Sequence, residues 1–155
     1  MIKIGHISDI SSDYDENWLV VRSLKTVPPH AIHEPRLSPS RQLFYRYLDA
    51  KSEGRFNAEW FQQVYVRAFL RELFSDRANM LLLDQLYRDS FTKDILLACF
   101  CADESLCHRS ILAGLLAGVG ARIECDAGYL KYYGMFQDMV YSYCSLPPLS
   151  HCEKC

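Results

Sequence analysis

Along the 155 residues, apolar positions recur first with a period of two, then with a helical period, then in short unbroken runs. Residues 1–8 (MIKIGHIS) alternate apolar and polar positions and predict an opening strand. The acidic turn formers DISSDYDEN follow. WLVVRSL, residues 18–24, is rich in β-branched positions and predicts a second strand. TVPPHAIHEPRLSPS then packs Pro28, Pro29, Pro35 and Pro39 close together. Proline removes backbone donors and disfavours helix at the residue before it, so a long irregular loop is expected there.

Helical spacing takes over after the loop. Residues 40–51 predict a short helix through Leu43, Phe44, Tyr47 and Leu48. Asn57 can cap a stronger one that carries Trp60, Phe61, Val64, Tyr65, Ala68, Phe69 and Leu73 on one face. Asp76 can start a third, with Met80, Leu83, Leu86 and Tyr87. DILLACFC, residues 94–101, is an apolar run of strand length, as expected for a strand buried on both faces of a parallel sheet. A helix marked by Ile111, Leu112, Leu115, Leu116 and Val119 follows, with Gly118 and Gly120 able to end it, and ARIEC (121–125) begins another strand. That order is a βαβ unit. Residues 129–143 form an aromatic helical segment. The expectation is a single α/β domain over residues 1–145, a mostly parallel sheet flanked by helices in a Rossmann-like three-layer arrangement. Residues 146–155 are expected to form a tail.

Charge narrows the function classes. Seventeen basic residues against 19 acidic ones give a net charge of −2, so no general nucleic-acid footprint is present, though a local basic patch is compatible with the sequence. The N-terminus lacks a signal-peptide pattern, and no run reaches the roughly 20 apolar residues of a membrane span. A soluble, cytoplasmic protein without a membrane partner is expected. Its seven cysteines then read as reduced thiols, with Cys99, Cys125 and Cys144 packing among apolar neighbours.

The candidate chemistry lies where the apolar run meets the helix, CADESLCHR. In parallel sheets, ligands bind beyond the carboxyl ends of strands. Ser105 is expected to cap the helix, placing Cys107, His108 and Arg109 in its first turn. Unpaired N–H groups and the helix dipole favour an anion there, and Arg109 would hold its phosphate or carboxylate. Cys107 is the candidate nucleophile and His108 the candidate acid or base. Cys101 ends the strand, and Arg22, with the proline-rich loop, would cover the site.

The spacings exclude a phosphatase Cys-x5-Arg loop, and neither a Walker loop nor a GxGxxG fingerprint occurs. Cys101 with Cys107 is a conceivable thiol–disulfide pair across the loop. No resident cofactor is expected. A zinc-stabilised module is an alternative, drawing on the junction cysteines and on His151, Cys152 and Cys155 of the terminal HCEKC. A second alternative is a non-enzymatic interaction protein gripping a protein or nucleic acid through Tyr129, Tyr132, Tyr133 and Tyr141.

The stretch LLACFCADESLCHRSILAGLL resembles the signature of the bacterial and phage family catalogued as domain of unknown function 488. That family shows an apolar strand ending in cysteine, a short acidic loop, then Cys-His-Arg opening a helix. The matching positions are Cys101, Glu104, Cys107, His108 and Arg109. Arg22, in Val20-Val21-Arg22, matches an arginine at the end of an early strand, whereas the aspartate of the family's Asp-Val-Arg pattern is absent. Trp60, Phe61 and Tyr65 are similar to the family's aromatic helix. The resemblance spans about residues 1–130. It implies an α/β fold with a cleft at the Cys-His-Arg loop and no activity; the expected ligand-binding set there is Arg109, Arg22, Cys101, Glu104 and Ser105.

Overall fold

The computed structural model describes residues 1–144, without the side chains of the last two. The expected tail, with His151, Cys152 and Cys155, lies outside the described residues.

Five strands form one parallel sheet in the order β3-β2-β4-β1-β5: β1 (Ile2–His6), β2 (Glu16–Leu19), β3 (Ala31–His33), β4 (Ile95–Cys99) and β5 (Ile123–Glu124). The apolar run at 95–99 takes the centre, and all five of its residues are buried, as an unbroken hydrophobic strand requires. Its register aligns Cys99 with His6 of β1 and Ala98 with Leu19 of β2, so three strands end along one carboxyl edge.

The helices gather on one face. They are α1 (Arg41–Ser52), α2 (Ala58–Trp60), α3 (Arg67–Ser75), α4 (Arg77–Asp89), α5 (His108–Gly118) and α6 (Leu130–Cys144). Trp18, Val20, Ile95 and Leu97 point from the sheet into this layer, against Phe61, Phe69, Leu86, Ile111 and Leu112. Leu19, Leu96 and Ala98 alternate to the other face, where a thin third layer of Ile7, Ile10, Tyr14 and Leu24 covers them. The α/β fold with a parallel sheet is therefore the one the hydrophobic pattern predicts. No helix of the described residues is long and apolar enough to cross a membrane.

Local chemistry sets the helix starts. Asn57 accepts the Trp60 amide at 2.8 Å and Asp76 the Ala78 amide at 2.8 Å, as expected of both caps. Ser40 caps α1 through the Leu43 amide, and its own backbone amide and hydroxyl donate to Glu72. Between α2 and α3 the chain widens into a π-helical stretch, Phe61–Val66.

Three expectations need correction. The proline-rich segment is not wholly irregular, because Ala31–His33 pairs with β2 as an edge strand held between Pro29 and Pro35. β2 begins at Glu16, before the apolar run, and Asn17 is tolerated inside it because its amide donates to the Ser11 and His30 carbonyls. Ser105 does not cap α5; its amide and hydroxyl bond Asp103, and Cys107 occupies the N-cap position.

Candidate functional site

A cavity of about 440 Å³ opens at the carboxyl edge, where β2 and β4 end. Strand β4 and the turn after it bring Cys99 and Cys101 to its floor, and the start of α5 adds Cys107 and His108. Tyr65, from the π-helical stretch, and Tyr47 and Phe44, from α1, form an aromatic wall. π-Helical turns are frequent at functional sites, and this stretch supplies Tyr65 to the cavity lining. Arg22 and Arg41 contribute to the rim.

The two arginines are cationic groups with spare donors. Arg22 ties down the end of the proline-rich segment, Nε donating to the Pro39 carbonyl at 2.8 Å and Nη2 to that of Ser38 at 3.2 Å. Its Nη1 has no partner among the described residues. Arg41, exposed at the first turn of α1, makes no ion pair among them either.

The floor is unusual. The sulfurs of Cys99, Cys101 and Cys107 all lie within 4.8 Å of one another, with Cys99 and Cys101 3.7 Å apart. Burial opposes a charge on Cys107. The thiols of Cys101 and Cys99, then the Arg109 amide and guanidinium, outweigh that cost and hold Cys107 well below the usual thiol range. Cys101 shifts the other way: hydrogen bonding to Cys107 and Cys99, with burial, keeps it protonated. Burial raises the Tyr65 hydroxyl well above its ordinary value, and the neighbouring thiolate charge adds to the effect.

His108 is buried, its ring edge-on to Phe69 and its Nε2 2.7 Å from the Val20 carbonyl oxygen. A carbonyl accepts but cannot donate, so this contact assigns the proton to Nε2 and leaves Nδ1 as an acceptor, 3.6 Å from Cys107 Sγ. Burial lowers the pKa of the imidazole and favours its neutral form. The ring thus locks the start of α5 to the end of β2.

Of the residues expected at the site, Arg22, Cys101, Cys107 and His108 meet at this cavity. Three others stand apart from its lining. Arg109 is 1% exposed behind the floor, with Nη2 donating to the Cys101 carbonyl at 2.7 Å. Glu104 turns away to accept the Tyr129 hydroxyl at 3.0 Å, and Ser105 is committed to Asp103. Sequence reasoning placed Cys99 and Tyr65 in the core and missed their part in the cavity. The Cys-x-Cys spacing at the end of an apolar strand was the available signal for Cys99; nothing local marked Tyr65.

Residues 13–120 match the family DUF488-N3a, described as the active DUF488-N3 subclade, and so span most of the fold and the whole Cys-His-Arg junction. The chain belongs to this family. The DUF488-N3a match covers every cavity residue named above, including Arg22 and Arg41. No curated protein matches the chain, and no solved structure does.

Proposed function

We propose that this DUF488-N3a protein is an enzyme acting on a small ligand that carries a phosphate or carboxylate, with a nucleotide among the compatible classes. The observation that carries the reading is one cavity that combines a cationic rim with a floor of three clustered cysteine sulfurs. Arg22 and Arg41 are suited to grip the anionic group through spare guanidinium donors. The aromatic wall of Phe44, Tyr47 and Tyr65 suits a flat or apolar body between rim and floor. Cys107 is the reactive sulfur below it. His108 is a positioning residue, since its Nε2 is committed to Val20. Arg109 supports the floor from behind and acts on the ligand through Cys107. The word "active" in the family's description agrees with turnover.

Thermal unfolding across inorganic phosphate, nucleotides, sugar phosphates and small carboxylates tests this reading. A ligand at a hundredfold excess over its Kd adds about 2.7 kcal/mol, or about 5–10 °C for a domain of this size. The shift is expected in the wild type and lost in Arg41→Ala, whose exposed side chain has no ion-pair partner among the described residues to lose. A ligand shift of equal size in Arg41→Ala and Arg22→Ala would remove the rim from the site. Absence of any shift across the panel would overturn the proposal.

A further inference from the structure

We infer that Cys99, Cys101 and Cys107 form a thiolate site for a zinc-class metal ion, with the fourth coordination position open to the cavity. Geometry is the first support. Four ligands placed tetrahedrally about 2.3 Å from zinc stand roughly 3.8 Å from one another. Cys99 and Cys101 are already 3.7 Å apart, and all three sulfurs fall within 4.8 Å, so small side-chain rotations bring the trio onto one ion. Two of the thiols stand on rigid elements, the last residue of β4 and the N-cap of α5, and the intervening turn supplies the third. Soft thiolates select zinc over hard cations.

Charge is the second support. Arg109 is a fully buried cation that no carboxylate pairs among the described residues, and its Nε and Nη1 make no hydrogen bond. Its guanidinium lies close enough to all three sulfurs to act on them electrostatically. A buried cation needs a compensating charge. Three thiolates around a divalent ion carry one net negative charge, which balances Arg109. The lone Cys107 thiolate of the metal-free trio carries the same net charge, so a metal can enter without leaving Arg109 unpaired.

Location is the third support. All three cysteines line the cavity, so the open position faces the space that a ligand would enter. Three protein ligands and one open position are the pattern of catalytic rather than structural zinc. This inference deepens the preceding proposal and rests on it for what occupies the fourth position: water, or the anionic group of the ligand, polarised by the metal. With metal bound, Cys107 acts as a ligand rather than as a free nucleophile.

The test uses the full chain carrying Cys152→Ser and Cys155→Ser, so that the terminal cysteines cannot contribute. Under reducing conditions it is expected to retain one zinc per chain by elemental analysis. Cobalt(II) in its place should give a thiolate-to-metal charge-transfer band and the strong visible bands of a tetrahedral ion. X-ray absorption should count three sulfur neighbours and one light atom. Cys101→Ser, in the turn at a partly buried position, should leave circular dichroism unchanged and weaken cobalt by more than about 100-fold, beyond what even an outer-shell partner costs. Loss of all metal on removing the terminal cysteines would overturn the site, as would full-strength binding in Cys101→Ser. A count of four sulfurs would overturn the open position. Anion-dependent stabilisation of chelator-treated protein, compared with Arg41→Ala, reports on the cationic rim separately, so the two proposals fail by different measurements.

Discussion

The imidazole of His108 shows how much one side chain can fix. Its Nε2 reaches from the first residue of α5 to the Val20 carbonyl, just beyond the end of β2, and joins two elements that the sequence separates widely. Burial makes protonation costly there, so the folded pKa lies below that of a free imidazole. Below about pH 6.5 the unfolded chain takes up a proton that the fold resists, so unfolding gains from acid. Stability on this account is fully present above that pH and declines as pH falls towards the depressed folded value. Cys107, also depressed, adds slope of the same sign between its folded pKa and that of a free thiol, so the informative quantity is the difference between variants. His108→Gln should show a shallower loss of unfolding free energy than wild type between pH 7 and 5 in urea titrations. Parallel curves would show that the ring is not the acid-sensitive group.

At the scale of elements, what could be read depended on whether the cause was local. β4 was legible because Ile95–Cys99 is apolar throughout, and the Asn57 and Asp76 caps because each acts within a few residues. The start of β2 was not. Glu16 sits there because its carboxylate accepts Trp18 Nε1 at 2.7 Å and Lys93 Nζ at 2.6 Å, the second from a residue far along the chain. The thiol trio was legible only in part. Cys101 and Cys107 could be paired across the loop from the sequence, but Cys99 reads as a core hydrophobe, and closure of the turn between β4 and α5 is what brings all three together.

Gly118 was read as a helix terminator, but its larger role is steric. A Cβ at Gly114 would lie 2.0 Å from the Tyr129 carbonyl oxygen, and one at Gly118 would lie 2.1 Å from the Tyr133 ring. These glycines, one helical turn apart, form the groove in α5 that seats α6 and the turn leading into it. Backbone cannot yield as a side chain can, so Gly114→Ala should cost about 2–3 kcal/mol in urea unfolding. Gly118→Ala should cost less, because the Tyr133 ring can turn aside. The reverse order would show that α6 shifts as a unit.

For the molecule as a whole, the helices lie on one face of the sheet, and the opposite face carries a thin cover of residues from the β1–β2 connection and from beyond β2. The carboxyl edge beside β2 and β4 stays accessible, and the cavity opens there. Burial and pairing grade stability across the sheet. Central β4 pairs on both sides, with β1 and β2, and is buried throughout. Edge strands β3 and β5 are short and pair on one side, and Ile32 of β3 is 45% exposed. Local opening follows such gradients in burial and pairing. Amide exchange followed by NMR should therefore be slowest at Leu96–Ala98, intermediate in β1, and fastest at Ile32–His33 and Glu124. The seam between β2 and β4 is the part that the cavity depends on, because Val20 N donates to the Ala98 carbonyl at 3.0 Å while Val20 O holds His108. Protection at Val20 close to that of Ala98 would mark this seam as a rigid scaffold for the thiol floor. If Val20 instead exchanged as fast as β3, the α5 terminus would be anchored to a strand end that opens readily, and the cavity could not hold its sulfurs at the distances described.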